Sequence, residues 1–383
     1  MKLIALKDVC KINMGQSPNS SSYNDYGDGM PFFQGNADFG ERYPITRVWC
    51  NTPTKIAQAE DILISVRAPI GALNYAKEEC CIGRGLAAIT PDRNKVSQDF
   101  IYWALKGKKA ELNDKGNGST FKAISRKILE ETMIPDINFE QQHKCAENLE
   151  KIYGIIQNRR KELLALDDLI KARFVEMFGD LANPECSWDK CKFVDACADK
   201  DDIKCGPFGT QLSKDEYTTS GIAVWEIPQI NTAFLSEPTH FLTEEKAEQL
   251  NSYTIIPGDI AMSRKGNVGK CALFPNDYPD GIIHSDVLRI RVDRERLNPA
   301  FMVCQLHFSG FVTRQIELVS SGAIMAGVNV TKLKQIYVHV PPMDLQNQFA
   351  DFVRQVDKSK VAVQKALDET QTLFDSLMQE YFG

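Results

Sequence analysis

Gln34, Asn36, Arg67, Arg84, Ser119, Thr120 and Lys122 in one half of the chain, and Gln229, Asn231, Arg264, Lys265 and Lys270 in the other, all fall in expected loops. They also carry the donors and acceptors that can read a nucleic-acid duplex. Arg and Lys match guanine, Asn and Gln match adenine, and Ser or Thr hydroxyls suit phosphate oxygens. Taken singly, each is as well explained as a turn-former, a strand-end partner or a solvated charge. Arg84, between two glycines, equally suits an internal ion pair. The two sets are candidates for base readout as groups rather than one by one.

Bond-making chemistry is poorly served by comparison. An adenine methyltransferase needs an Asn/Asp-Pro-Pro-aromatic loop, whereas Asn298-Pro299-Ala300-Phe301 lacks the second proline and reads as a helix entry. Gly83-Arg84-Gly85-Leu86-Ala87-Ala88 imitates a dinucleotide fingerprint, but Thr90-Pro91 closes the strand and no helix follows. Gly266-Asn267-Val268-Gly269-Lys270-Cys271 is shorter than a phosphate loop and ends in Cys where Ser or Thr would hold magnesium, so it reads as a tight turn. Cys186, Cys191, Cys197 and Cys205 lack Cys-x-x-Cys spacing and the five histidines are dispersed, which leaves a metal site unsupported. The carboxylates in Pro91-Asp92 and Pro135-Asp136 have no acid-x-lysine element after them. The chain is expected neither to cut nor to methylate by itself, and to carry no cofactor.

The elements that must position the two sets are written twice. From about Gln141 to Phe178, the residues Cys145, Leu149, Ile152, Ile156, Leu163, Leu166, Ile170 and Met177 advance by threes and fours, with Arg159 and Arg173 as polar interruptions. Phe349, Val353, Val356, Val363, Leu367, Phe374, Leu377 and Tyr381 advance the same way, interrupted by Lys360 and Thr370. Both are heptad seams. Ile134-Pro135 with Phe139-Glu140-Gln141-Gln142 answers Val340-Pro341 with Leu345-Gln346-Asn347-Gln348, and Met177-Phe178-Gly179 answers Tyr381-Phe382-Gly383. A helix of about 38 residues would be roughly 57 Å long, too long to stand alone. Its own copy is the obvious partner. A globular-sized segment lies between the two, so antiparallel pairing with a domain at each end is the simplest arrangement. The charged seam residues weaken a plain two-helix pairing and would mark where acidic residues or partner subunits approach.

The chain is long enough, at 383 residues, for two cored domains, and 43% apolar with 25% charged residues is ordinary globular composition. Eleven irregularly spaced cysteines favour reduced thiols and a cytoplasmic location. No signal peptide or membrane-spanning run is visible. The net charge of -6 weighs against phosphate binding, but the acids gather in the long helices, so the total does not decide the matter. The expected architecture is α+β (mixed α/β): a first domain at 1–138, a long helix at 139–180, a linker and second domain at 181–340, and a second long helix at 341–383. Within the domains, Met30 to Asn36 reads as an aromatic strand ending in a loop, Asp61 to Gly71 as a buried strand and turn, and Cys80 to Ile89 as a strand pair broken by glycines. Ser97 to Leu112 reads as one amphipathic helix. Leu6-Lys7-Asp8-Val9-Cys10 answers Phe193-Val194-Asp195-Ala196-Cys197, Asp61 to Gly71 answers Asp259 to Gly269, and the loop Gly116 to Lys122 answers Ser320 to Met325. Elsewhere the halves differ almost completely, as expected if each recognises something different.

With those residues in view, the whole chain resembles the specificity subunit of a type I restriction-modification system. The resemblance is carried by Pro31-Phe32-Phe33-Gln34-Gly35, Asp61 to Gly71, Gly83-Arg84-Gly85-Leu86-Ala87-Ala88, Gly206-Pro207-Phe208-Gly209, Gly221 to Ile230 and the paired helices. It implies two target-recognition domains, each reading one half of a split sequence in double-stranded DNA, held apart by an antiparallel helical pair. Two methyltransferase subunits, which would bring S-adenosylmethionine, dock on that pair, and restriction subunits can join. Related systems such as type IIB use similar subunits, so the system type stays open. The competing class is a scaffold unrelated to DNA, with two lectin-like or peptide-binding domains on a coiled-coil stalk.

Overall fold

The computed structural model describes residues 2–117, 122–183, 185–320 and 327–383. The chain divides into two compact units, Met1–Lys161 with Gln364–Gly383, and Glu162–Val363. Each unit therefore takes a β-rich domain and a part of each long helix.

In the first unit a small ladder pairs Leu3–Ala5 with Met133–Pro135. A four-stranded antiparallel sheet follows in the order Cys10–Met14, Leu86–Pro91, Ile62–Ser65, Leu73–Tyr75. A second sheet is built around Met30–Phe33, which runs parallel to Cys80–Ile82, with Phe32 opposite Cys81 and Phe33 opposite Ile82. Ile62, Leu63 and Ile64 are fully buried, as a short, continuous apolar run between turn signals requires.

The second unit repeats this plan. Lys190–Lys192 pairs with Tyr337–His339, a four-stranded sheet orders Ile203–Cys205, Val287–Ile290, Ile260–Ser263 and Cys271–Leu273, and Ile222–Trp225 runs parallel to Gly281–Ile283. The repeat extends to single hydrogen bonds. Asp61 accepts the amide N–H of Gln58 at 2.8 Å, and Asp259 that of Ile256 at 3.0 Å. Leu6 N–H donates to the carbonyl of Thr132, and Phe193 N–H to that of Ile336. Asn298 caps the helix Pro299–Phe308, as its text indicates.

Ser97 to Leu112 is not one helix. It breaks at Lys108 into Gln98–Gly107 and Lys109–Asp114. Gly107 lies against Phe382, where an added Cβ would come within 3.0 Å, so close packing keeps a poor helix former at the break.

The long helices are Phe139–Phe178 and Met343–Phe382, 40 residues each. They are antiparallel. In the first unit Asn148 donates to the Tyr381 hydroxyl, and in the second Phe174 packs on Phe349 with ring centroids 5.6 Å apart. No seam position named from the sequence is exposed, and the polar interruptions find partners across the pair. Arg159 donates to Thr370 Oγ1 at 2.7 Å and to the Ala366 carbonyl, and Lys360 meets Asp167 at 2.6 Å. Arg173 instead pairs along its own helix with Glu176 at 2.8 Å and lies over the Phe352 ring.

The lead-ins correspond with a shift of two residues from the sequence alignment. Gln142 matches Gln346, not Gln348. Both are buried; Gln142 accepts the Ser97 N–H at 2.7 Å as Gln346 accepts that of Asn298 at 2.8 Å. Each buried amide locks a long helix to its own domain, where an unpaired one would cost about 1–3 kcal/mol. Past the first long helix, Leu181 is buried and Trp188 donates back to the Phe178 carbonyl, so the linker is packed where it leaves the helix.

Candidate nucleic-acid interface

In the first unit, two neighbouring strand ends build a cleft. Strand Met30–Phe33 leads into Gln34, and Cys80–Ile82 runs into Gly83-Arg84-Gly85. Gly83 N–H donates to the Phe33 carbonyl at 2.8 Å and Gly85 N–H to the Gln34 carbonyl at 3.1 Å. A Cβ on Gly85 would sit 2.4 Å from that Gln34 oxygen, so the backbones meet only because the side chain is absent. The tip between the glycines carries Arg84, with its N–H held by Ser17 Oγ at 3.3 Å. From the next hairpin Val66 N–H reaches the Gly85 carbonyl at 2.9 Å, which brings Arg67 alongside.

The result is a cleft of about 230 Å³ lined by Gln34, Gly35, Asn36, Arg67, Ala68, Arg84 and Gly85. Four of the loop residues named from the sequence, Gln34, Asn36, Arg67 and Arg84, thus line one surface. Gln34, Arg67 and Arg84 are exposed, and among the described residues neither guanidinium has an ion-pair partner, so Arg84 is not the internal partner its glycines also allowed. Lys122, exposed, stands beside them, its carbonyl accepting from Ala68 N–H at 3.1 Å. Ser119 and Thr120 lie outside the described residues. Two cations with open donors and two amides form a surface able to take phosphate and base edges together.

The second unit brings its candidates together less fully. Gln229 is a correction: it is buried, its Oε1 accepts the Glu226 N–H at 3.1 Å and its Nε2 donates to the Glu237 carbonyl at 2.9 Å. Its amide is consumed in closing a turn and cannot reach a base. The signal was present in the sequence, since Glu226 and Gln229 stand at capping-box spacing around Pro228. Asn231 is exposed and 3.4 Å from Asn267. Arg264 lies over the exposed ring of Phe208 at 4.8 Å and donates to the Val328 carbonyl. Lys265 pairs with Asp286 at 2.8 Å, while Lys270 closes the turn Gly266–Lys270 through its N–H to Asn267. That stretch is a tight turn, with Gly266 and Gly269 at positive φ.

Sequence reading missed Phe208, Glu226, His240, His284 and Asp286. They stand at or against the corresponding strand ends of the second unit, where Ile283 runs into His284-Ser285-Asp286 and Trp225 into Glu226, with His240 bonded to Glu226 and Phe208 under Arg264. His284 N–H donates to the Trp225 carbonyl at 2.9 Å, as Gly83 does to Phe33. Among the described residues no group of three or more His, Cys, Asp or Glu is arranged to hold a metal ion. The thiols of Cys10, Cys80, Cys197 and Cys304 are pushed up to about 12 by burial, which keeps them protonated and unreactive.

Comparison with known proteins places the chain in a family. A family model described as the type I restriction modification DNA specificity domain matches residues 1–165 and 208–370. The putative type I restriction enzyme MjaX specificity subunit of Methanocaldococcus jannaschii is 47% identical over 152 residues, which is 40% of this chain and 36% of that relative's length. The MjaIX specificity subunit of the same organism is 22% identical, with 97% of this chain and 90% of the relative covered. The EcoBI specificity subunit of Escherichia coli is 20% identical over 99% of this chain and 85% of the relative. In fold, the chain resembles the crystal structure of the type I restriction-modification S subunit from M. genitalium, with a TM-score of 0.62, 16% identity and coverage of 100% of this chain and 96% of the other. The two segments matched by the family model take in most of the chain, and it belongs to the family of type I restriction-modification DNA specificity subunits, a non-catalytic component of those systems.

Proposed function

We propose that the chain reads a bipartite duplex target with one domain per half-site, residues 1–138 contacting one half and 181–340 the other. The observation that carries this reading is the repeated backbone frame with different side chains at its two strand ends: Gln34, Asn36, Arg67 and Arg84 in the first unit, Glu226, His240, His284 and Asp286 in the second. One frame with two linings suits two different half-sites, whereas a scaffold unrelated to DNA gives no reason for the open guanidinium pair.

The long helices, at 139–180 and 341–383, would dock two methyltransferase subunits and set the number of unread base pairs between half-sites. S-adenosylmethionine binds on the methyltransferase partner, which also pays the few kcal/mol of base flipping. Restriction subunits would join the same assembly in the cytoplasm. No described helix is long and apolar enough to cross a membrane.

Exchanging residues 1–138 for the corresponding domain of another specificity subunit should change one half of the methylated sequence and leave the other intact. Methylation mapping of the host reads the result directly, and a change in both halves at once would refute the division of labour. Inserting whole helical turns after Gly154 should lengthen the unread spacer. Binding of duplex DNA by the assembled complex should weaken with salt in proportion to the phosphates contacted.

A further inference from the structure

The matching strand ends of the second unit carry groups of a different kind from the first. Glu226, at the end of strand Ile222–Trp225, accepts a hydrogen bond from His240 Nδ1 at 2.7 Å through Oε2, and Thr239 Oγ1 stands 3.3 Å from the same oxygen. Its Oε1 lies 3.9 Å from His284 Nε2. His284 Nδ1 in turn accepts the Asp286 N–H at 3.2 Å, and Asp286 pairs with Lys265. His240 reaches Glu226 because Val224 faces it across the antiparallel pair of Ile222–Trp225 with His240–Leu242.

These contacts fix where the imidazole protons are. A carboxylate only accepts, so Nδ1 of His240 carries a proton, and in the neutral ring Nε2 is then a bare acceptor. His284 is the reverse: its Nδ1 accepts from a backbone amide, so its proton is on Nε2, on the side of Glu226. Glu226 thus sits between two donors, and its side chain is only 16% exposed. His240 is 44% exposed, its ring is stacked on Tyr217 with centroids 4.6 Å apart, and its Nε2 has no hydrogen-bond partner among the described residues. Carboxylate and tyrosine hold the ring in one tautomer and one plane, with an unused acceptor on a solvent-facing side chain. In the major groove, cytosine N4 and adenine N6 present amino donors, whereas guanine and thymine present oxygens that an acceptor repels.

We propose that His240 is a specificity-determining residue, its Nε2 accepting the exocyclic amino group of a cytosine or adenine in the half-site read by the second unit. This rests on the reading that each unit contacts one half-site. It assigns to that unit an acceptor where the first unit offers guanidinium donors.

The test uses the full chain assembled with its methyltransferase subunits and a pool of duplexes randomised across the target, with bound molecules sequenced. The wild type should prefer an amino-bearing base at one position of the second half-site by about tenfold or more. His240→Ala should flatten that position to within about threefold and leave the first half-site unchanged. His240→Gln, whose amide both donates and accepts, should keep DNA binding while admitting all four bases at the same position. An unchanged second half-site in both variants overturns the proposal, as does a uniform loss across all sequences in both, which would mean that the ring only supports the fold. Arg67→Ala with Arg84→Ala separates the two ideas. If that pair alters the first half-site alone while the His240 variants alter nothing, the inference fails and the one-unit, one-half reading stands. If the His240 variants alter both half-sites, the underlying reading fails.

Discussion

The two units share a frame down to single backbone hydrogen bonds, yet the groups at the ends of their matching strands have little chemistry in common. In the first, two open guanidiniums and two amides face solvent; in the second, two carboxylates are tied to two histidines and a lysine. Beneath the surface they also diverge. Asp61 and Asp259 occupy the same turn, but only Asp259 meets a guanidinium: both its oxygens take Arg291 N–H groups at 2.7 Å. The frame is carried by buried strands and backbone pairing, so the strand ends vary without disturbing it.

The largest expected difference between the units lies at that aspartate. Asp259 is fully buried, so Asp259→Ala leaves Arg291 without its partner and should cost the second unit about 3–5 kcal/mol. Asp61→Ala removes backbone hydrogen bonding only and should cost the first unit roughly 1–3 kcal/mol. Urea unfolding of both variants measures the gap; equal losses would mean that the ion pair contributes nothing beyond the turn.

Acid should separate the units nearly as strongly. Burial lowers the His307 pKa to about 4, and its Nε2 accepts the Cys271 N–H at 3.1 Å. The unfolded chain binds a proton there below about pH 6.5 and the folded one does not until about pH 4. Stability from this group is therefore complete above pH 6.5 and is lost as pH falls toward 4, on the order of 3 kcal/mol at most. His339, also in the second unit, is lowered by burial and acts in the same direction. The first unit's histidine, His143, is exposed. Hydrogen exchange at pH 5 should show the second unit opening first, and His307→Gln should narrow the difference.

At the surface, Arg67→Ala or Arg84→Ala should weaken binding of the first half-site. If the lost contact is to phosphate, the log–log salt slope falls by about 1; if to guanine, discrimination at one position drops by about 1–3 kcal/mol. An effect on the second half-site would break the comparison. Smallest is Arg42→Ala. The Arg42–Glu150 contact at 2.7 and 2.8 Å ties the first domain to its long helix but is partly exposed, so the loss should be about 1 kcal/mol or less, read as a small fall in the first unit's melting temperature.

The helix pair was legible because a heptad period survives in the residue types, and Leu149, Ile156, Val353 and Phe374 are buried where the spacing puts them. What the period could not show is a second buried flank. Ala146, Phe174 and Phe178 lie off the seam, and Phe174 and Phe178 pack on Phe301 of the second domain at 5.8 and 4.7 Å. Distinguishing a helix face that meets another helix from one that meets a sheet domain takes coordinates. The cleft was half legible. An arginine between glycines left a presented side chain and an internal ion pair equally open, and the convergence of Arg67 with Arg84 comes from hairpin geometry. Gln229 misled because glutamine reads bases and closes turns with the same amide. The Glu226–His240 pair was invisible, since strand pairing rather than local spacing brings these residues together.

The first domain depends on residues far downstream. Phe382 packs on Phe100 at 5.5 Å and against Gly107, and Phe374 sits edge-on to Trp103 at 5.7 Å. On the ribosome, the half made first must therefore wait with this aromatic patch uncovered until residues 364–383 emerge and close over it. A chain lacking residues 364–383 would therefore leave that patch of the first unit uncovered, while the second unit, 162–363, keeps all of its own residues.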